Sequence, residues 1–106
     1  MARAKTRLDR LALYPTPVRL GGVRLLVAPW LFRLPYFRRF DGYALYRTIL
    51  LRSTDASEDL VTHELCHVWQ LQHRPLRVPL SYLLSGYWNN PYERQARGAV
   101  GATRTE

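Results

Sequence analysis

The run His63-Glu64-Leu65-Cys66-His67 places two imidazoles four residues apart, with a carboxylate beside the first. On an α-helix, positions four apart differ by only about 40° around the axis, so both rings project from one face. Glu64, about 100° from His63, leans toward the same side. This is the HExxH arrangement, in which two histidines hold Zn2+ and the glutamate is placed to take a proton from a water at the metal. In a chain of 106 residues a chance match is expected in well under about one case in a hundred. From Leu60 to Trp69 every residue other than Glu64 and the two histidines is uncharged, which suits a helix buried beside a metal.

A catalytic zinc takes three protein ligands and keeps a fourth position open. Downstream of His67 the candidates for the third are His73, Glu93 and Glu106. His73 reproduces the last spacing of HExxHxxGxxH, which resembles the metzincins. That pattern needs a glycine where this chain has Gln70, and a methionine turn where the only methionine is Met1. In an unbroken helix His73 points about 80° away from His63 and about 120° from His67, turned from the metal. Glu93 lies in Asn90-Pro91-Tyr92-Glu93, which reads as a helix start with an asparagine cap and proline at the first helical position. A capping box competes for the same side chain, since Glu93 stands where it could fold back on Asn90. A carboxylate from a second helix would complete a His-His-Glu set.

HELCH, followed 26 residues after its second histidine by the glutamate of NPYERQA, resembles the gluzincins. In size the chain is similar to the minigluzincins, domains of about a hundred residues, and the likeness covers residues 44–98. The resemblance implies a zinc metallopeptidase with His63, His67 and Glu93 as metal ligands, Glu64 as the catalytic base, and a peptide or protein as substrate. It also implies latency, with Met1–Tyr14 or the tail from Gly98, including Glu106, blocking the cleft. The downstream aspartate that steadies a histidine in that family is missing, so other groups must orient His63 and His67. Tyr82, Tyr87, Tyr92 and Arg94 are candidate donors to a developing oxyanion. Trp69 and Trp88 are expected to pack around the helix pair, and Cys66, about 60° from His63, reads as a small buried hydrophobe.

The elements that must position these residues follow from punctuation and periodicity. Leu8, Leu11 and Leu13 predict a short N-terminal helix over 6–14, stopped by Pro15 and Pro17. Val23, Leu25 and Val27 predict a strand within 18–28 after a bend at Gly21-Gly22. Asp41-Gly42 reads as a two-residue hairpin turn between an aromatic segment, 36–40, and a strand over 43–52 ending in Thr48–Leu51. Caps at 53–57 and first-turn acids Glu58 and Asp59 predict the HExxH helix over 57–73. Residues 78–88 read as a loosely helical segment over the cleft, and the last helix should reach about Arg97, before Gly98 and Gly101. The expected fold is α+β: an N-terminal helix, a small antiparallel or mixed sheet of about three strands, the HExxH helix, a connector, and a C-terminal helix carrying a glutamate ligand.

The length has room for one domain and one core. Arginines at 19, 24, 33, 38 and 39 interrupt the apolar first half, so no membrane span is expected. MARAKTRLDR lacks the apolar run of a signal peptide, and a single cysteine fits a reducing compartment, which together point to the cytoplasm. A net charge of +8 from fifteen arginines and one lysine raises a second reading, a basic nucleic-acid-associated protein with a zinc site. The arginines are dispersed and no stacking-aromatic motif accompanies them, so that reading is not favoured.

Overall fold

The computed structural model describes residues 1–87 and 90–103; Trp88 and Glu106, given roles above, lie outside the described residues. In chain order the elements are α1 (Ala2–Asp9), β1 (Arg24–Val27), β2 (Gly42–Leu45), β3 (Thr48–Leu51), α2 (Glu58–His73), α3 (Arg77–Ser85) and α4 (Pro91–Thr103), with a 3-10 turn at Leu31–Arg33. The fold is α+β, four helices about a three-stranded mixed sheet of order β1-β3-β2. β1 runs parallel to β3, pairing Leu25 with Ile49, and β2 runs antiparallel to it, pairing Tyr43 with Leu50.

Helix α2 is the axis of the molecule. Ser57 Oγ accepts from the Leu60 amide at 3.1 Å, and Glu58 and Asp59 fill the first turn, satisfying an orphan donor and the positive end of the helix dipole. From Thr62 to Leu71 every residue but His63 is buried. Leu65, Cys66, Val68 and Trp69 join Ala4 and Leu8 of α1, Ile49 and Leu51 of β3, and Ala96 and Ala99 of α4 in one core. Each fully buried leucine or valine there contributes about 1.5–3 kcal/mol. Arg7 ties three helices together: its guanidinium meets Asp59 at 2.9 Å and Glu58 at 3.2 Å, and donates to Thr103 Oγ1 and the Val100 carbonyl, both at 3.1 Å.

Three boundaries differ from the sequence reading. The N-terminal helix spans 2–9 rather than 6–14: Asp9 Oδ1 accepts from the Val18 amide at 2.9 Å, so the chain folds back at once. The hairpin turn is Tyr46-Arg47, with Tyr46 at φ 52°, and not Asp41-Gly42. Gly42 instead opens β2 and serves a close approach to α2. The last helix runs through Gly98 and Gly101 to Thr103. Each glycine costs about 1 kcal/mol of helix propensity, which burial of Ala99, Val100 and Thr103 on the inner face offsets.

Candidate metal centre

Two helices deliver the site. α2 presents His63 and His67 from one face, and α4 begins beside it with Glu93 in its first turn. Asn90, fully buried, accepts from the Tyr92 amide at 2.8 Å and the Glu93 amide at 3.2 Å through Oδ1, capping α4. Its Nδ2 donates to Ser81 Oγ at 2.8 Å, tying the cap to α3. The Asn90 backbone amide donates to the Tyr87 carbonyl at 3.3 Å. The Glu93 carboxylate is therefore turned away from a capping box and toward the histidines.

His63 Nε2 lies 2.7 Å from Glu93 Oε1, His67 Nε2 lies 2.8 Å from Glu93 Oε2, and the two Nε2 atoms are 3.2 Å apart. Zinc bonds of 2.0–2.1 Å at tetrahedral angles separate neighbouring donors by about 3.3 Å, close to this triangle. The three side chains are thus arranged to hold a metal ion. Further hydrogen bonds set Glu93 in place: Tyr82 donates to Oε2 and Tyr87 to Oε1, each at 3.0 Å.

The tautomer of His67 follows from its neighbours. Gln70 faces the Tyr92 carbonyl at 2.9 Å, and a carbonyl only accepts, so the amide nitrogen of Gln70 lies on that side. Its oxygen then lies 2.9 Å from His67 Nδ1, which must carry the hydrogen. In neutral His67 the Nε2 lone pair is left facing the Glu93 carboxylate, a contact that requires a cation between them. The donor set, two imidazole nitrogens and a carboxylate short of protons, fits Zn2+. Without a metal a proton fills the gap. Burial works against a charged His67, yet hydrogen bonding to Glu93 and Gln70 together with the nearby negative charges of Glu64 and Glu93 outweighs it and holds the ring's pKa above the ordinary value. Burial would likewise raise Glu93, but its contacts with both histidines hold it well below the usual carboxylate range.

Glu64, 6% exposed, sits beside this triad, and the Ala44 amide of β2 donates to its carboxylate. Burial raises its pKa, partly offset by the two histidines, so it binds a proton more readily than a free carboxylate. Glu64, His67 and Glu93 open on a cavity of about 240 Å³ whose other walls are Gly42–Tyr46, aromatic side chains including Tyr36, Phe40 and Tyr43, and the inner face of α3.

The remaining sequence candidates separate clearly. Tyr82 and Tyr87 line the cavity; Tyr92 and Arg94 do not. Neither 1–14 nor 98–103 contributes to its lining. His73 stacks on Tyr14 at 4.8 Å and contacts Thr16 Oγ1 at 3.0 Å, at the far end of α2. Burial pushes the Cys66 thiol up to about 12, as befits a packed hydrophobe. The sequence reading missed Gln70 as a functional residue, treating it only as the glycine that was not there. A buried amide three residues after the second histidine, within hydrogen-bonding reach of that ring on a helix, was the available signal. Compared with protein-family models, curated proteins and solved structures, the chain matches none.

Proposed function

We propose that this protein is a zinc metallopeptidase of gluzincin type, cleaving peptide bonds with Glu64 as general base. The observation that carries this reading is the convergence of His63 Nε2, His67 Nε2 and the Glu93 carboxylate within 2.7–3.2 Å, with Glu64 buried alongside at the same cavity. Zinc bound there would supply Lewis acidity, polarising a carbonyl and lowering the pKa of water toward about 7.

The chain's own groups account for the rest. Glu64, its proton affinity raised by burial, accepts the proton of the attacking water and passes it to the leaving amine. Tyr82 and Tyr87, whose hydroxyls burial and the neighbouring Glu93 keep protonated, remain donors at neutral pH. They orient Glu93, and both face the cavity where an oxyanion would form. β2 is the sheet edge and lines the cavity from Gly42 to Leu45, so an extended peptide can add to it as a further strand. Aromatic walls at Tyr36, Phe40 and Tyr43 favour a substrate side chain that is apolar or aromatic.

The test is metal analysis with a peptide-library digest of the zinc-loaded protein and Glu64→Gln. Cleavage by wild type, lost by about 100-fold or more in a variant that keeps its zinc, supports the reading. Bound zinc with no cleavage of any peptide sinks it and leaves the metal a structural part.

A further inference from the structure

Among the described residues no helix is long and apolar enough to cross a membrane, but α3 has the form of a helix that lies on one. Four leucines stand on its outer side: Leu76 is 80% exposed, Leu80 53%, Leu83 84% and Leu84 78%. Their spacing, i, i+4, i+7 and i+8, places them in one stripe about 100° wide. The opposite side is spoken for, since Val78 is buried and Tyr82 donates to Glu93. Single exposed leucines are ordinary on a folded surface, whereas a continuous stripe marks a contact face.

Charge identifies what it contacts. Arg77 falls at the edge of the stripe, about 20° from Leu84 around the axis, and Arg74 precedes the helix; both are exposed. Arg19 and Arg47 line a surface depression with Pro75, at the same end of α3. No aspartate or glutamate occurs from Arg74 to Tyr92, and the whole chain carries +8. A second copy of this chain would bring the same cations against these, whereas an anionic surface complements them. We propose that the outer face of α3 docks on an anionic lipid bilayer, with the four leucines at the headgroup–acyl boundary and the flanking arginines on lipid phosphates. Arginine suits this position because its stem covers apolar surface while its charged end reaches the headgroups.

Docking in this way orients the molecule. Val78, Pro79 and Tyr82 on the inner face of α3 wall the cavity of the metal centre, so that centre is held about one helix diameter, roughly 10 Å, from the lipid. The docking stands whether or not the centre is catalytic. A helix of 9 residues carrying three of these leucines, with Leu76 at its N-cap, gives shallow, reversible binding that weakens with salt.

The experiment is co-sedimentation of the full chain with vesicles of phosphatidylcholine containing about one-third phosphatidylserine, against pure phosphatidylcholine. Wild type is compared with Leu83→Ser/Leu84→Ser, its fold checked by circular dichroism, and with Leu83→Ser alone should the double variant melt early. The expected result is binding to the anionic vesicles that falls at least about tenfold in the double variant, and about threefold in the single one. Equal binding by the variants overturns the proposal, since the arginines then adsorb without the helix. So does an absence of wild-type binding. A dimer seen by light scattering and abolished by the leucine changes, with no vesicle binding, assigns the stripe to a second copy and overturns it likewise.

Discussion

A Cβ added at Gly42 would lie 3.1 Å from Cγ of Glu64, so the strand and the helix touch where only a hydrogen fits. The same Cβ would meet Glu64 Oε2 at 3.4 Å and Leu60 Cδ1 at 3.3 Å. β2 therefore acts as a stop against which the carboxylate rests, while the Ala44 amide holds it from the same strand. Gly42→Ala is expected to push Glu64 by a few tenths of an ångström. Overpacking costs about 1–3 kcal/mol, and displacement of a reacting group should lower the proposed peptidase activity by about tenfold or more. Zinc content, set by other residues, should stay at wild-type level. Full activity in Gly42→Ala, measured on the substrate found by library digestion, removes Glu64 placement from the role of this glycine.

Gln70 gives His67, one of the three side chains arranged to hold a metal ion, a fixed hydrogen-bond partner at Nδ1. Its amide also donates to Gln95 Oε1 at 2.8 Å, so its orientation is set from the α4 side. Gln70→Leu removes the acceptor that keeps the hydrogen on His67 Nδ1. Zinc affinity measured by chelator competition should fall about 10–100-fold, the usual cost of losing such a partner. A merely structural role predicts a different outcome, a lower melting temperature with zinc affinity unchanged.

Metal binding and folding should be coupled through Glu93. The ligand triangle joins α2 to α4, so zinc at about a hundred times its dissociation constant adds about 2.7 kcal/mol to stability. In a domain of this size that raises Tm by about 10 °C or more. Removing zinc with a chelator should reverse the shift. In Glu93→Gln, which retains the shape but weakens the donor set, the zinc-dependent rise should largely vanish. In His73→Ala it should persist, because His73 lies against Tyr14 at the other end of α2. A zinc shift kept by Glu93→Gln and lost by His73→Ala reverses the ligand assignment.

How far the sequence could be read depends on where each signal sits. α2 was legible to within one residue at its start and to the residue at its end because its cap, first-turn acids and terminal Arg74-Pro75 are all local. The α+β class followed from similar punctuation, but the stretch 43–52, read as one strand, is β2, its turn and β3. Misplacement of the hairpin came from Gly42, whose use is tertiary: it clears Glu64, 22 residues away in sequence. α4 outran its expected end because burial against α1 and α2 overrides two glycines, a cost visible locally and a gain that is not. At the site, HExxH pointed to two histidines and a carboxylate that the fold does bring together, while the contacts of Tyr82 and Tyr87 with Glu93 and of Gln70 with His67 depend on how α3 and α4 return to α2.

Alkaline pH offers a test of the packing around Tyr14. Tyr14 stands edge-on to Trp69 with ring centroids 5.2 Å apart and donates to Gln95 Oε1 at 3.1 Å. Burial, seconded by the nearby Cys66, raises its pKa above the usual 10. In the unfolded chain the phenol loses its proton near about pH 10, while the folded chain still holds it. Its contribution to stability is therefore complete below about pH 10 and is lost as pH rises through the folded value. Denaturant melts at pH 8, 10 and 11 should show stability falling over that interval. Tyr14→Phe keeps the ring against Trp69 but has no proton to lose, so its decline should be shallower than that of wild type. Parallel slopes in the two proteins would mean that Tyr14 titrates alike folded and unfolded, and that the pocket formed by Trp69, His73 and Gln95 is open to water.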